Sequence, residues 1–202
     1  MDNRAMFKLG YGLYVLTARD GEKDNGCIIN TAIQVTTTPN RISVTVNKQN
    51  YTHDMIQKNG EFNLSVLTTE TPFDVFRHFG FQSGKNVDKF EGYEGAERAE
   101  NGICYLTGPA NAYLSGKVIQ ELDLGTHTMF IADVTAAEVL NDTPSVTYTY
   151  YQENIKPKPE AKEEKKKGFR CLICGYIYEG DELPADFICP ICKHGASDFE
   201  KI

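Results

Sequence analysis

The chain has no tryptophan, only four histidines and four methionines among 202 residues, and six cysteines that are unevenly spread. No stretch approaches eighteen consecutive apolar residues, which excludes a conventional membrane-spanning helix, and the first residues lack the apolar run of a secretory leader. The formal charge of −7, with no basic patch interleaved with aromatics, argues against nucleic acid and anionic membranes as partners. No G-x-G-x-x-G bridges a strand and a helix, and strands do not alternate with helices, so a Rossmann domain is not expected. The clustered thiols belong in a reducing compartment, read here as the cytoplasm. Outside the cluster only Cys27 and Cys104 remain; without a partner motif they read as small buried hydrophobes.

What is present is concentrated at the end. Cys171 and Cys174 form one C-x-x-C knuckle, and Cys189 and Cys192 form a second after fourteen intervening residues. Two such knuckles facing each other close a tetrahedral thiolate cage around one metal ion. A segment this short cannot bury enough apolar surface to fold alone, so the metal is expected to staple it. Spacing alone admits zinc and iron equally.

The boundary before this module is legible. Residues 155–167 hold two prolines, nine charges and almost nothing apolar, the composition of a flexible linker. Such a tether spans roughly 20 Å as coil and at most about 50 Å extended. The expected organisation is a large domain over residues 1–154, the linker over 155–167 and the metal-binding module over 168–202. The module carries three basic and six acidic residues, which suits docking to a basic face.

The large domain alternates apolar and polar residues with a period of two, most clearly at Ile42, Val44 and Val46, the signature of half-buried strands. Further strands are expected over 11–16, 27–36, 62–66, 112–119 and 128–134, with a turn at Asp20 and Gly21. Short helices are expected over 52–59, ending at Gly60, and over 71–79, with Thr71, Pro72 and Asp74 as a capping box. Many short strands and few helices point to a mainly β fold, a closed antiparallel barrel. One connection is chemically pointed: Asn47, Lys48, Asn50, Tyr51 and Thr52 gather amides, hydroxyls and an ammonium where a strand ends and a helix begins. Helix-end amides with such side chains can hold a phosphate, although Asn50 or Thr52 would also serve as a plain N-cap.

Two resemblances sharpen these readings. C-x-x-C-G-Y-x-Y from Cys171 to Tyr178, L-P-x-D-aromatic-x-C-P-x-C from Leu183 to Cys192, and the closing Phe199 resemble rubredoxin. The resemblance implies an Fe(Cys)4 site over an aromatic core of Tyr176, Tyr178, Phe187 and Phe199. It departs in its shortened hairpin, in Phe187 where the family has tryptophan, and in the residues following Cys192. In the large domain, G-x-x-N-x-A-x-x-V-T-x-x-P (26–39), N-K-x-N-Y-T-H (47–53), F-N-L-S-V-L (62–67), S-G-K-N-V-D-K-F (83–90) and G-T-H-T-M-F-I-A-D-V (125–134) resemble the flavin reductase family, which has an FMN-binding split β-barrel. That resemblance implies that Asn30, Thr31, Ala32 and Ile33 line the isoalloxazine, and that Thr45, Asn47 and Lys48 face the ribityl chain or ring. It further implies Asn50, Tyr51 and Thr52 at the phosphate, Ser83, Gly84 and Lys85 closing over the flavin, and His127 near the nicotinamide as candidate catalytic residue. His53 and His78 read as helix-start and surface residues.

The chain as a whole resembles the flavin reductase–rubredoxin fusion family, the high-molecular-weight rubredoxins. This implies NADH or NADPH as hydride donor, FMN, one iron ion, a protein acceptor such as a flavodiiron protein, and a homodimer with flavin near the interface. The alternative is a free flavin or ferric reductase with an accessory zinc-ribbon-like tail.

Overall fold

The computed structural model describes residues 2–157 and 168–202, which fall into two compact units on either side of the 156/157 junction. Most of the expected linker lies outside the described residues. Strand β1 (Tyr14–Asp20) and strand β2 (Lys23–Ile29) form a hairpin in continuous register around Gly21, whose φ of 59° suits a residue without a Cβ. The expected strand over 27–36 is two strands. β2 stops at Ile29, the chain bends at Asn30 and Thr31, and β3 (Ala32–Thr37) pairs instead with β4 (Asn40–Asn47) at the opposite edge of the sheet. A periodicity of two marks both halves alike and cannot reveal a change of ladder.

Helix α1 (Tyr51–Asn59) follows, with Asn50 Oδ1 accepting from the Thr52 amide at 3.1 Å and Gly60 closing it at φ 70°. β5 (Glu61–Leu67) leads to α2 (Phe73–Gly80), where the expected capping box is absent. Pro72 is the N-cap, and Thr71 Oγ1 instead donates to the Pro109 carbonyl at 2.8 Å and accepts the Thr68 amide at 3.0 Å. Tertiary bonds claim the hydroxyl before the helix can. The small hairpin of β6 (Ala96–Arg98) and β7 (Cys104–Leu106) was not expected from the sequence; the long strands β8 (Ala110–Asp123) and β9 (His127–Val139) complete the unit's strands.

Seven strands run antiparallel in the order β2-β1-β5-β8-β9-β4-β3. The sheet curls until its two ends share one core: Cys27 and Ile29 from β2 meet Val44 and Val46 from β4 around Leu16, Phe62 and Phe130, capped by Met55 and Ile56 of α1. The barrel is split because its end strands β2 and β3 are not paired to each other. A second core lies behind β1 and β5, where Val15 and Leu67 pack with Val75, Phe76 and Phe79 of α2 and Leu106 of β7. Buried polar groups fasten the small hairpin there: Thr17 Oγ1 donates to the Cys104 carbonyl at 2.6 Å, and Asn63 Nδ2 to the Ile103 carbonyl at 2.8 Å. Arg98 clamps Asp24 with two bonds of 3.1 and 2.7 Å. By contrast, five of the six residues of β3 are exposed, Ile33 at 65%.

Lys89 is only 2% exposed and ties its loop to the barrel through bonds to the Gly26 carbonyl (2.8 Å) and the Phe79 carbonyl (3.0 Å). Burial pulls its pKa down to about 8. Among the described residues no helix is long and apolar enough to cross a membrane.

In the small unit, β10 (Phe169–Cys171), β11 (Ile177–Tyr178) and β12 (Phe199–Lys201) make a three-stranded sheet in the order β11-β10-β12. Phe187 is the hub of its aromatic core, 4.7 Å from Tyr178, 5.4 Å from Phe199 and 6.5 Å from Tyr176 by ring centroids. It fills the position expected for the larger indole.

Two outcomes follow from the barrel's packing. A Cβ on Gly116 would lie 2.5 Å from the ring of Phe62, which is fully buried. Gly116→Ala is therefore expected to cost about 1–3 kcal/mol of stability, read from the urea midpoint. For Lys89, the unfolded chain holds a proton that the native chain has released between pH about 8 and 10.5. Stability relative to Lys89→Met should then rise with pH across that window, the penalty being complete below it. Denaturation of both proteins across the window checks this; parallel pH profiles would contradict it.

Candidate functional site

The two knuckles of the C-terminal unit are built alike. The Gly175 amide donates to the Cys171 carbonyl (2.9 Å) and the Cys171 amide to the Tyr176 carbonyl (2.8 Å). Correspondingly, Lys193 N donates to the Cys189 carbonyl (3.0 Å) and Cys189 N to the His194 carbonyl (2.8 Å). Both turns need a left-handed residue, Gly175 at φ 80° and Lys193 at φ 63°. This brings together all four predicted ligands: the Sγ atoms of Cys171, Cys174, Cys189 and Cys192 lie within 4.8 Å of one another. Two of the spacings, Cys171 to Cys192 and Cys174 to Cys189, are 3.5 Å. Metal–sulfur bonds of about 2.3 Å in a tetrahedron require about 3.8 Å between sulfurs, so the cage fits a thiophilic ion.

The cage is also electrostatically prepared. Hydrogen bonding from Cys192, helped by the Tyr176 amide, pulls the Cys174 thiol down to about 5. The same sharing with Cys174, with burial, pushes Cys192 up, while the His194 amide aims at its sulfur. Metal ligation requires the thiolate form, so binding releases the thiol protons of the cluster. Cys171 and Cys189 are buried, whereas Cys174 and Cys192 are half-buried, so the cage has one side toward solvent.

In the barrel, the predicted residues fall into two neighbouring groups. The first lies where β4 meets its neighbours. Thr31 and Thr45 exchange bonds of 2.6 and 3.2 Å, and Asn47 stands opposite His127 on β9. Cross-strand register puts Thr45, Asn47 and His127 on the sheet's outer face, with Ile33 on the same face. Ala32 is paired with Val44 and packs against the core instead, and Asn30 occupies the bend between β2 and β3. Lys48 Nζ is held by Asp123 at 2.7 Å. His127 Nδ1 is 2.8 Å from Thr126 Oγ1.

The second group surrounds the start of α1. Asn50, Tyr51 and Thr52 are joined there by the 83–85 loop. Lys85 Nζ is 3.3 Å from Asp54 Oδ2 and 5.9 Å from the centre of the Tyr51 ring; Lys23 Nζ approaches the same ring at 5.0 Å. A Cβ on Gly84 would run into the amide of Asn25, which is why only glycine closes the loop. Asn25, 1% exposed, donates to Thr52 Oγ1 at 2.9 Å, while its Oδ1 is buried without a hydrogen-bond partner among the described residues. The Lys85 and Lys23 ammonium groups beside a helix N-terminus have the donor set and polarity to take a phosphate-bearing cofactor such as FMN, while the unpartnered Asn25 Oδ1, an acceptor, is open only to a donor.

Sequence reasoning missed Lys23, Asn25 and Asp54. Asn25 with Gly26 looks like a turn dipeptide, yet both sit within β2; only the hairpin register exposes their role. His53 is buried at the start of α1 and binds Thr128 Oγ1 at 2.9 Å, a structural strut. His78 is half-buried rather than a plain surface residue, bonding the Lys89 carbonyl at 2.6 Å and stacking on Tyr93. Cys27 and Cys104 are buried; burial pushes both thiols up, Cys104 to about 11, so neither is a reactive thiolate.

Comparison with known proteins agrees with this geometry. The family described as "Flavin reductase like domain" matches residues 6–158, and "Rubrerythrin, rubredoxin-like domain" matches residues 169–200. The chain is 38% identical over 230 aligned residues to the High molecular weight rubredoxin of Moorella thermoacetica, with all of both chains covered. It is 39% identical to a Ferric-chelate reductase (NAD(P)H) of Archaeoglobus fulgidus, over 75% of this chain and 89% of that one. Among solved structures, the NADH:FAD oxidoreductase SgcE6 of Streptomyces globisporus C-1027 shares the fold at a TM-score of 0.65 and 23% identity, covering 71% of this chain and 84% of that chain. The chain belongs to the flavin reductase-like family, as a member that carries a C-terminal rubredoxin-like domain.

Proposed function

We propose that the chain is an NAD(P)H-dependent electron-transfer protein, with FMN on its barrel and iron in its C-terminal cage. One observation carries this reading: a flavin reductase-like barrel and a four-thiolate cage of tetrahedral dimensions occur in one chain. When bound, FMN takes electrons as a hydride pair and releases them singly, and one iron in four thiolates carries one electron at a time.

The chain's own residues supply the rest. Asn50, Tyr51 and Thr52, with Lys85 and Lys23, are assigned to the phosphate, and Ser83 and Gly84 to the closing loop. Asn30, Thr31, Ala32, Ile33, Thr45, Asn47 and Lys48 are assigned to the ring and ribityl chain, Ala32 through its backbone. His127 is assigned to the nicotinamide side. This machinery works by orientation, not by a strong acid or base. In the module, the rings around Phe187 exclude water from the inner side of the cage, and half-buried Cys174 and Cys192 offer a short route to a docked acceptor.

The acceptor is taken to be a protein with a basic face, of the flavodiiron class, and the compartment a reducing cytoplasm. The domain plan of 1–154, 155–167 and 168–202 is kept in this proposal, with the tether delivering the module to its docking sites. The exposed apolar residues Ile33, Val35 and Leu122 support a homodimer. A second reading, a free flavin or ferric reductase with a zinc-bearing tail, is favoured by the Archaeoglobus relative, whose name specifies a ferric chelate as substrate.

Anaerobic stopped-flow absorbance with NADH or NADPH is expected to show flavin bleaching first and loss of ferric colour second. Cys174→Ser should leave flavin reduction intact and abolish transfer to a protein acceptor. Equal loss of both would contradict this division of labour, and a colourless cage with stoichiometric zinc would favour the second reading. Ile33→Asp should shift sedimentation from two chains to one; an unchanged mass would place the subunit contact elsewhere.

A further inference from the structure

Lys193 is the one non-glycine residue at positive φ among the described residues, at 63°. Its counterpart in the first knuckle is Gly175 at φ 80°, and the two share the same backbone bonds. That conformation aims the next amide back at a ligand: Tyr176 N–H at Cys174 and His194 N–H at Cys192. Glycine adopts it freely, whereas a lysine carries the steric penalty of its Cβ. The backbone gains nothing from that exchange, so whatever the lysine contributes lies in its side chain.

The module has only two other cations. Arg170 is paired with Glu200, and Lys201 lies over the Phe169 ring at 5.9 Å. Among the described residues, no carboxylate lies within ion-pair reach of Lys193, which is exposed. An uncompensated positive charge therefore leaves the backbone one residue from ligand Cys192, on a module with six acidic and three basic residues.

We propose that Lys193 is a positioning residue for charge: its ammonium raises the reduction potential of the cage above the value a glycine would give. The inference rests on the iron reading. Reduction from ferric to ferrous adds one electron, breaks no bond, moves no proton and makes the four-thiolate site one unit more negative. A neighbouring cation stabilises the reduced form, opposing the surrounding carboxylates, and net charge is among the determinants of such potentials.

Spectroelectrochemical titration of the full chain tests this with Lys193→Gly, Lys193→Gln and Lys193→Arg. Gly and Gln are expected to shift the midpoint downward alike, with Arg remaining at the wild-type value. The difference should shrink as salt rises from roughly 0.1 M to 1 M, because the screening length falls from about 10 to 3 Å. Thermal melting separates strain from charge, since only the glycine variant should stabilise the module. A Gln variant with the wild-type midpoint and full iron content would overturn the proposal and leave the relay standing. Zinc in the cage, with no couple in any variant, would overturn both, and metal analysis tells these outcomes apart.

Discussion

Four sulfurs held within 4.8 Å by two matching turns are the constraint on which the C-terminal module hangs. Its strands are two or three residues long, and its aromatic interior is a few rings gathered on Phe187. So little buried surface does not sustain a fold. A metal bonded to all four thiolates converts two turns into a closed unit. The same turns aim the next amides, of Tyr176 and His194, at the sulfurs of Cys174 and Cys192, so the shape of the module and the electronic surroundings of its metal share the same backbone.

The barrel solves a different problem, bringing distant stretches of chain to one rim. β4 borders both β3 and β9, which sets Thr45 beside Thr31 and Asn47 beside His127. The 83–85 loop reaches the start of α1 with Lys89, a few residues on, anchored to β2 and α2 through the Gly26 and Phe79 carbonyls. The sheet is also clad unevenly. Thr17, Asn63 and Ser65 of β1 and β5 are sealed beneath β7, while β3 is left almost uncovered.

The cage was the most legible feature of the sequence, because two C-x-x-C pairs, the first followed by a glycine, suit metal ligation and little else. The helix at 51–59 was legible for a similar reason: Asn50 and Gly60 each perform a local task that needs no distant partner. What stayed hidden was set by long-range contacts. Thr71 has the look of an N-cap, but its hydroxyl serves Pro109, 38 residues away. The run 27–36 alternates like one strand, and only the sheet order shows that it serves two edges. The β6–β7 hairpin offers too few residues for any periodicity, and apart from the Arg98–Asp24 pair much of its hold on the barrel comes from backbone groups, which are the same in every residue.

An open sheet has two edges, and here each is guarded differently. α1 and α2 both pack on β2, covering one. At the other, the β3–β4 ladder slips between Gln34 and Thr36. A bulge of this kind twists the rim so that an incoming strand cannot continue the ladder. Whatever meets the chain at β3 is thus steered to lie against its flank rather than lengthen the sheet, and a crowded solution of such chains is spared fibrous growth.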